Sequence, residues 1–176
     1  LNAVSGDEFT QALIALNMAR ESGIQRVVYL SVMHADRFVN VPHFAVKSGA
    51  ERLIEAMDFS ATILRPAYFI DNDHMIKDVI LGHGIYPMPI GGKGLAMVDT
   101  RDIAEVAAAE LIRRDDAPGK MPIEIINLVG PDTLTGAEVA AIWTDVLGRP
   151  VSYAGDDPSA FEQNLASFMP KWMAYE

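Results

Sequence analysis

Cysteine is absent from the 176 residues, and basic residues are the minority, with 14 Lys and Arg against 24 Asp and Glu for a net charge of -10. The first absence excludes disulfide frameworks, thiolate nucleophiles and cysteine-ligated metals. The second produces a field that repels phosphate backbones and argues against nucleic acid as a direct partner. No apolar run reaches the roughly 18 residues a membrane-spanning helix needs. There are no internal repeats and no low-complexity tracts. A glycine-rich phosphate-binding turn, entered from a strand and leading straight into a helix, is also missing. Gly91, Gly92 and Gly94 follow Pro87-Met88-Pro89-Ile90 rather than a strand, and no long helical pattern starts after them, so they read as a turn. What the chain does have is apolar residues at 50%, enough for the core of a domain of ordinary size.

The segment from His43 to Asn72 departs from a plain core pattern. Val46, Ala50, Leu53, Ile54 and Met57 recur at helical spacing and define an inward stripe. At about 100° per residue, His43 and Lys47 lie one turn apart on the same side, at its N-terminal end. A cation aimed inward calls for an anionic or polar partner; otherwise its stem packs inward while the ammonium reaches solvent. Val27-Val28-Tyr29-Leu30-Ser31 and Ala61-Thr62-Ile63-Leu64-Arg65 bracket this helix as near-continuous apolar runs, the signature of parallel strands buried on both faces. Ligands of such sheets bind beyond the carboxyl ends of the strands. Ser31, Val32 and Met33 fall on that rim, as do Pro66 to Phe69, with the first turn carrying His43 and Lys47 nearby.

The order strand-Ser, HFAVK at a helix start, a strand ending in TILRPAYFIDN, then VDTRDIAEVAA and INLVGPDTLTGAEVAAIW resembles the NmrA-like branch of the atypical short-chain dehydrogenase/reductases. The resemblance covers nearly the whole chain. It implies an α/β fold, the C-terminal portion of a parallel Rossmann-type sheet with helices on both faces, plus a small α/β substrate-side region. It also implies a dinucleotide cofactor, NADP(H) or NAD(H), and a cytoplasmic setting. In the wider superfamily the lysine of a Tyr-x-x-x-Lys pair holds the nicotinamide ribose and the tyrosine delivers a proton; here His43 stands in the tyrosine's place. By resemblance, Lys47 is then a cofactor-binding and catalytic candidate, Ser31 takes the place of the catalytic-site hydroxyl beside Val32 and Met33, and Pro66, Ala67, Tyr68 and Phe69 border the nicotinamide. For His43, a proton donor near neutrality, a hydrogen-bonding wall of the pocket and a polar first-turn residue all remain open.

Along the rest of the chain, Leu1 to Val4 reads as the tail of a strand, and Ser5 with Glu8 as a capping box. With no phosphate-binding turn in the sequence, the expectation is that an upstream half carrying it precedes Leu1. Phe9, Ala12, Leu13, Leu16 and Ala19 form the stripe of a first helix that Gly23 ends. Residues 73–81 read as a short helix, 82–94 as a loop, Leu95 to Val98 as a short strand, and Thr100 to Arg114 as a helix burying Ile103, Ala107 and Leu111. An exposed turn at 115–119, a strand from Ile123 to Leu128, a helix between a Thr135–Glu138 capping box and Gly148, and a strand at Val151 to Ala154 complete the pattern. Residues 1–81 are thus expected to be the C-terminal part of the dinucleotide-binding domain. Residues 82–176 make a mixed substrate-side region whose segments at about 95–112 and 123–128 return to the Rossmann core.

Asp71, Asp73 and His74 at a helix start read as caps rather than a metal site, and so do Asp99 and Asp102. His34 and His83 read as loop residues, while Met33 and Met88 fall in loops where they can line an apolar pocket. Two functions fit these observations. One is an NAD(P)H-dependent reductase of small carbonyl or quinone-like substrates enclosed by the 82–94 loop and the segment after Val151. The other is a redox-sensing NADP(H)-binding module that signals to a protein partner without turnover. Substrate identity, the choice between NAD and NADP, and oligomeric state are not written in these residues.

Overall fold

The computed structural model describes residues 7–167 and 169–175. The expected strand tail at Leu1 to Val4 and the Ser5 half of the first capping box lie outside them. The α/β class is as expected: the order is α1 (Glu8–Glu21), β1 (Arg26–Leu30), α2 (Pro42–Ala56), β2 (Ser60–Pro66), a 3-10 segment (Ile70–Ile76), α3 (Lys77–His83), β3 (Ile85–Tyr86), α4 (Thr100–Asp115), β4 (Glu124–Leu128), α5 (Gly136–Leu147), β5 (Ser152–Tyr153), α6 (Pro158–Leu165) and α7 (Lys171–Tyr175). None of the described helices is long and apolar enough to cross a membrane. The chain forms two compact units, one running to Pro66 and resuming over Arg101–Leu128, the other made of Ala67–Thr100 with Val129–Tyr175.

The first unit is built on a three-stranded parallel sheet in the order β1-β2-β4. Val27 pairs with Ala61 and Tyr29 with Ile63, and on the other side Ile63 pairs with Ile125. As the middle strand, β2 is buried at every position but Arg65, the pattern of a parallel strand covered on both faces. Ala12 and Leu16 of α1 and Ala50 and Ile54 of α2 pack with Tyr29, Phe59, Ala61 and Ile63 in one core. Where α1 meets α2, a Cβ at Gly49 would come within 2.9 Å of the Phe9 ring; Phe9 itself is 41% exposed and borders the stripe instead of filling it. Pro42 begins α2 at a position where a missing N–H costs nothing.

Polar groups inside a sheet covered on both faces must be bonded, and β2 carries two. The Arg114 guanidinium donates to Thr62 Oγ1 (2.5 Å), Ser60 Oγ (3.0 Å) and the Pro122 carbonyl (3.1 Å), while Thr62 donates to Glu110 at 2.6 Å. The inward face of α4 therefore consists of Ile103, Glu110 and Arg114, and Leu111, expected to be buried, is 51% exposed. The periodicity assigned that face by hydrophobicity. The demand of the Ser60 and Thr62 hydroxyls rotates a charged pair inward instead.

In the second unit β3 and β5 pair in parallel, Ile85 with Ser152 and Tyr86 with Tyr153. Ile80, Tyr86, Met97, Val139, Ala140 and Val151 form its core, with Tyr68, Met88 and Trp143 packed against it. The helix read at 73–81 resolves into the 3-10 segment followed by α3, and His83 is the last helical residue rather than a loop residue. The loop read at 82–94 is interrupted by β3. The strand read at Leu95 to Val98 reduces to two isolated bridges, Phe69 with Val98 and Leu95 with Leu134. The expected capping box is present on α5, Thr135 Oγ1 accepting from Glu138 N at 3.3 Å and Thr135 N donating to Glu138 Oε2 at 2.8 Å, and Gly148 closes the helix at φ 64°.

Candidate functional site

In the first unit the β1–β2 ladder runs past the end of β1. Ser31 N donates to the Leu64 carbonyl at 2.7 Å and Met33 N to the Pro66 carbonyl at 2.9 Å. Ser31, Val32 and Met33 are thereby held alongside the carboxyl end of β2, the side of a parallel sheet where ligands bind. A turn follows in which His34 takes the left-handed conformation, φ 62°.

Lys47 enters this rim from α2. Its side chain is 11% exposed, and its ammonium donates to the Leu30 carbonyl at 3.0 Å and meets Glu8 Oε1 at 2.5 Å. The ammonium also stands 5.5 Å from the centre of the Tyr29 ring. The polar partner that an inward lysine requires is thus a carboxylate on α1 together with the last carbonyl of β1. Asp7 is the N-cap of α1, without a side-chain cap bond, and the Glu8 carboxylate is turned into the protein at 3% exposure. Its second oxygen faces His43 Nδ1 at 3.5 Å, with the His43 side chain 29% exposed. His43 and Lys47, one turn apart on α2, converge on the same carboxylate.

A second charged group abuts the first. The Ser31 hydroxyl donates to Glu51, and Arg65 grips the same carboxylate through Nε (3.0 Å) and Nη2 (2.5 Å) while Nη1 reaches Asp36 at 3.0 Å. The Glu51 bond, foremost, raises the Arg65 pKa further above its ordinary value. The Tyr29 phenol feels the charge of both carboxylates. Burial first, then the charges of Glu8 and Glu51, push its phenol up, and its hydroxyl is buried without a hydrogen bond.

In the second unit, the backbone after Pro66 is fixed by Val98, whose N–H donates to the Tyr68 carbonyl at 2.9 Å and whose carbonyl accepts from Ile70 N at 3.0 Å. Ala67, Tyr68 and Phe69 are half-buried. Burial and the charge of Asp73 push the Tyr68 phenol up to about 12, the neighbouring Asn72 side chain acting in the opposite sense. Asp71 and Asp73 do not cap the segment they open. Asp71 accepts from Thr100 N at 3.1 Å, at the start of α4, and Asp73 accepts from Trp143 Nε1 at 3.0 Å and Tyr86 Oη at 3.3 Å. Burial raises the Asp73 pKa. Among the described residues no three His, Asp or Glu side chains are placed to hold a metal ion.

Reading the sequence therefore singled out Lys47, His43 and Ser31 and missed Glu8, Glu51, Arg65 and Tyr29. Glu51 carried a signal: it lies four residues after Lys47, the spacing that puts two helical side chains on one face. Glu8 carried none, because a glutamate in a first turn is ordinarily explained by the helix dipole.

A parallel sheet with crossover helices, its polar and charged side chains gathered past the strands' carboxyl ends, defines a Rossmann-type α/β protein. A profile of the NmrA-like family matches residues 5–176. The chain belongs to the NmrA-like family. It is similar to the NAD(P)H azoreductase of Xenophilus azovorans, at 32% identity over 125 residues, which are 70% of this chain and 42% of that protein. It is also similar to quinone oxidoreductase 2 of Escherichia coli, at 24% identity over 163 residues, 92% of this chain and 54% of that protein. The structure of the Escherichia coli NADPH-dependent quinone oxidoreductase complexed with NADPH matches with a TM-score of 0.78 at 22% identity, over 93% of this chain and 56% of that one. That of Citrobacter sp. triphenylmethane reductase complexed with NADP(H) matches with a TM-score of 0.77 at 21% identity, over 94% and 57%. The chain spans about half the length of the curated relatives it matches.

Proposed function

We propose that the protein is an NAD(P)H-dependent reductase of small carbonyl or quinone-like substrates. The observation that carries this reading is Lys47: an ammonium held at the carboxyl end of β1 by Leu30 O and Glu8. An ammonium has three donors, and among the described residues two of Lys47's are directed at these partners, which leaves one for a ribose hydroxyl. The donor set thus fits a dinucleotide cofactor, and the family resemblance points to the same place. NAD(P)H, when bound, supplies a hydride. Lys47 orients the ribose, and the backbone of Ser31, Val32 and Met33, with Pro66, forms the wall beside it. The Ser31 hydroxyl donates its hydrogen bond to Glu51, so its oxygen serves as an acceptor. His43, next to Lys47 and partly exposed, supplies the proton that accompanies hydride transfer. The name of the Escherichia coli relative, quinone oxidoreductase 2, supports a quinone-like substrate, and that of the Xenophilus azovorans relative, NAD(P)H azoreductase, supports the cofactor.

The commitment of the Ser31 hydroxyl to Glu51, together with a histidine where the superfamily's tyrosine stands, favours one second reading: a redox-sensing NADP(H)-binding module that reports to a protein partner. NADPH oxidation by the product of the complete open reading frame, in the presence of a quinone and aldehyde panel, separates the two. A reductase turns over, and His43→Phe depresses turnover roughly a hundredfold or more, the usual loss for a positioned general acid. A sensor gives no turnover above background in either form.

A further inference from the structure

Glu8 is the least accessible charged group of the site, and a carboxylate removed from water is tolerated when each of its oxygens has a partner. Lys47 satisfies one oxygen at 2.5 Å. The other makes no hydrogen bond as it stands, and His43 Nδ1 is 3.5 Å from it, a gap that an imidazole shift of roughly half an ångström turns into a hydrogen bond. Oε1 and Oε2 thus address two side chains that the α2 helix places one turn apart, although Glu8 itself comes from α1.

We infer that Glu8 is a positioning residue that ties His43 to Lys47, one carboxylate oxygen fixing the ammonium and the other holding the Nδ1 proton of the imidazole so that Nε2 is the nitrogen that carries the transferable proton. The state of one imidazole nitrogen is set by the bond the other makes. With Nδ1–H on Glu8, His43 donates from Nε2 when charged and is left as the Nδ1–H tautomer afterwards. The inference deepens the reductase reading and rests on it for its purpose, but the pairing is a property of the protein without cofactor.

The test is the tautomer of His43, read by two-bond proton–nitrogen correlation spectra with His43→Phe used for assignment. The native protein should show neutral His43 as the Nδ1–H form. In Glu8→Gln the amide carbonyl must face Lys47, because an ammonium only donates. The amide N–H then faces Nδ1, and neutral His43 should switch to the Nε2–H form. A role for Glu8 in neutralising Lys47 alone would not produce this switch. An Nε2–H tautomer in the native protein overturns the inference without any variant, and so does a tautomer that Glu8→Gln leaves unchanged. In the product of the complete open reading frame, Glu8→Gln should lower kcat about tenfold or more, as befits a weakened general acid, with NADPH affinity little changed because glutamine still accepts from Lys47. Unchanged kcat in a protein that does turn over removes the catalytic purpose. Absence of turnover in the native protein removes the reductase reading and leaves the pairing to stand or fall on the spectra.

Discussion

Replacing Lys47 by methionine is the most revealing single perturbation of stability. Methionine nearly matches the lysine stem in volume, so the change creates little cavity and isolates the polar terms. It deletes the bond to Leu30 O, and it leaves the Glu8 carboxylate, 3% exposed, without the cation 2.5 Å away. Removing one partner of a buried pair costs about 3–5 kcal/mol, because the charge left behind is uncompensated. Glu8→Leu should cost a similar amount by stranding the ammonium. The double substitution Glu8→Leu/Lys47→Met, which exchanges both charges for apolar groups, should recover most of the loss, since a buried pair replaced by hydrophobic residues is often neutral. The assay is urea unfolding followed by far-ultraviolet circular dichroism, because both tryptophans, Trp143 and Trp172, belong to the second unit and their fluorescence would report on the wrong part of the chain. Single losses below about 1 kcal/mol that simply add in the double variant would be the behaviour of an exposed pair. They would refute the buried Glu8–Lys47 contact and return Lys47 to a snorkelling role.

Arg114→Met should destabilise the first unit by about 3 kcal/mol, roughly 1 kcal/mol for each of the three hydrogen bonds lost to Thr62, Ser60 and Pro122; a melting temperature within a degree of native would contradict the buried network. The Arg113 hydrogen bond, foremost, holds the Glu110 carboxyl below its ordinary range, with the Thr62 bond adding to it. A depressed carboxylate contributes stability that is present above its unfolded value of about 4.3 and is lost as pH falls through the folded one. Glu110→Gln should therefore flatten the acid limb of the stability–pH curve below about pH 4.5, and an acid limb as steep as that of the native protein would rule this out.

The strands β1 and β2 and the α5 cap were legible because each has a local cause: continuous apolar runs for strands covered on both faces, and a Thr135–Glu138 spacing that satisfies helix donors without outside help. What could not be read depended on partners distant in sequence. Asp73 bonds Tyr86 and Trp143, the latter 70 residues away, so no window around Asp73 contains the reason it turns inward. α4 shows the same limit. Leu111 looks like a core residue until the hydroxyls of β2 demand Arg114 and Glu110 on that face. At the site, the inward lysine was visible from its helical phase, and its need for a partner followed from charge burial. That the partner is Glu8 was not, because only the fold carries α1 to the end of β1.

The central claim is that Lys47 holds a dinucleotide cofactor, and a calorimetric titration with NADPH tests it most directly. The proteins to compare are the product of the complete open reading frame and its Glu8→Gln/Lys47→Met variant, which removes the ammonium without stranding a charge. Both should be shown folded by circular dichroism before titration. Loss of a hydrogen bond from a charged donor is worth about 1.5–3 kcal/mol, so the account predicts a Kd raised by roughly ten- to a hundredfold. An unchanged Kd in the folded variant would contradict it and leave Lys47 a purely structural residue.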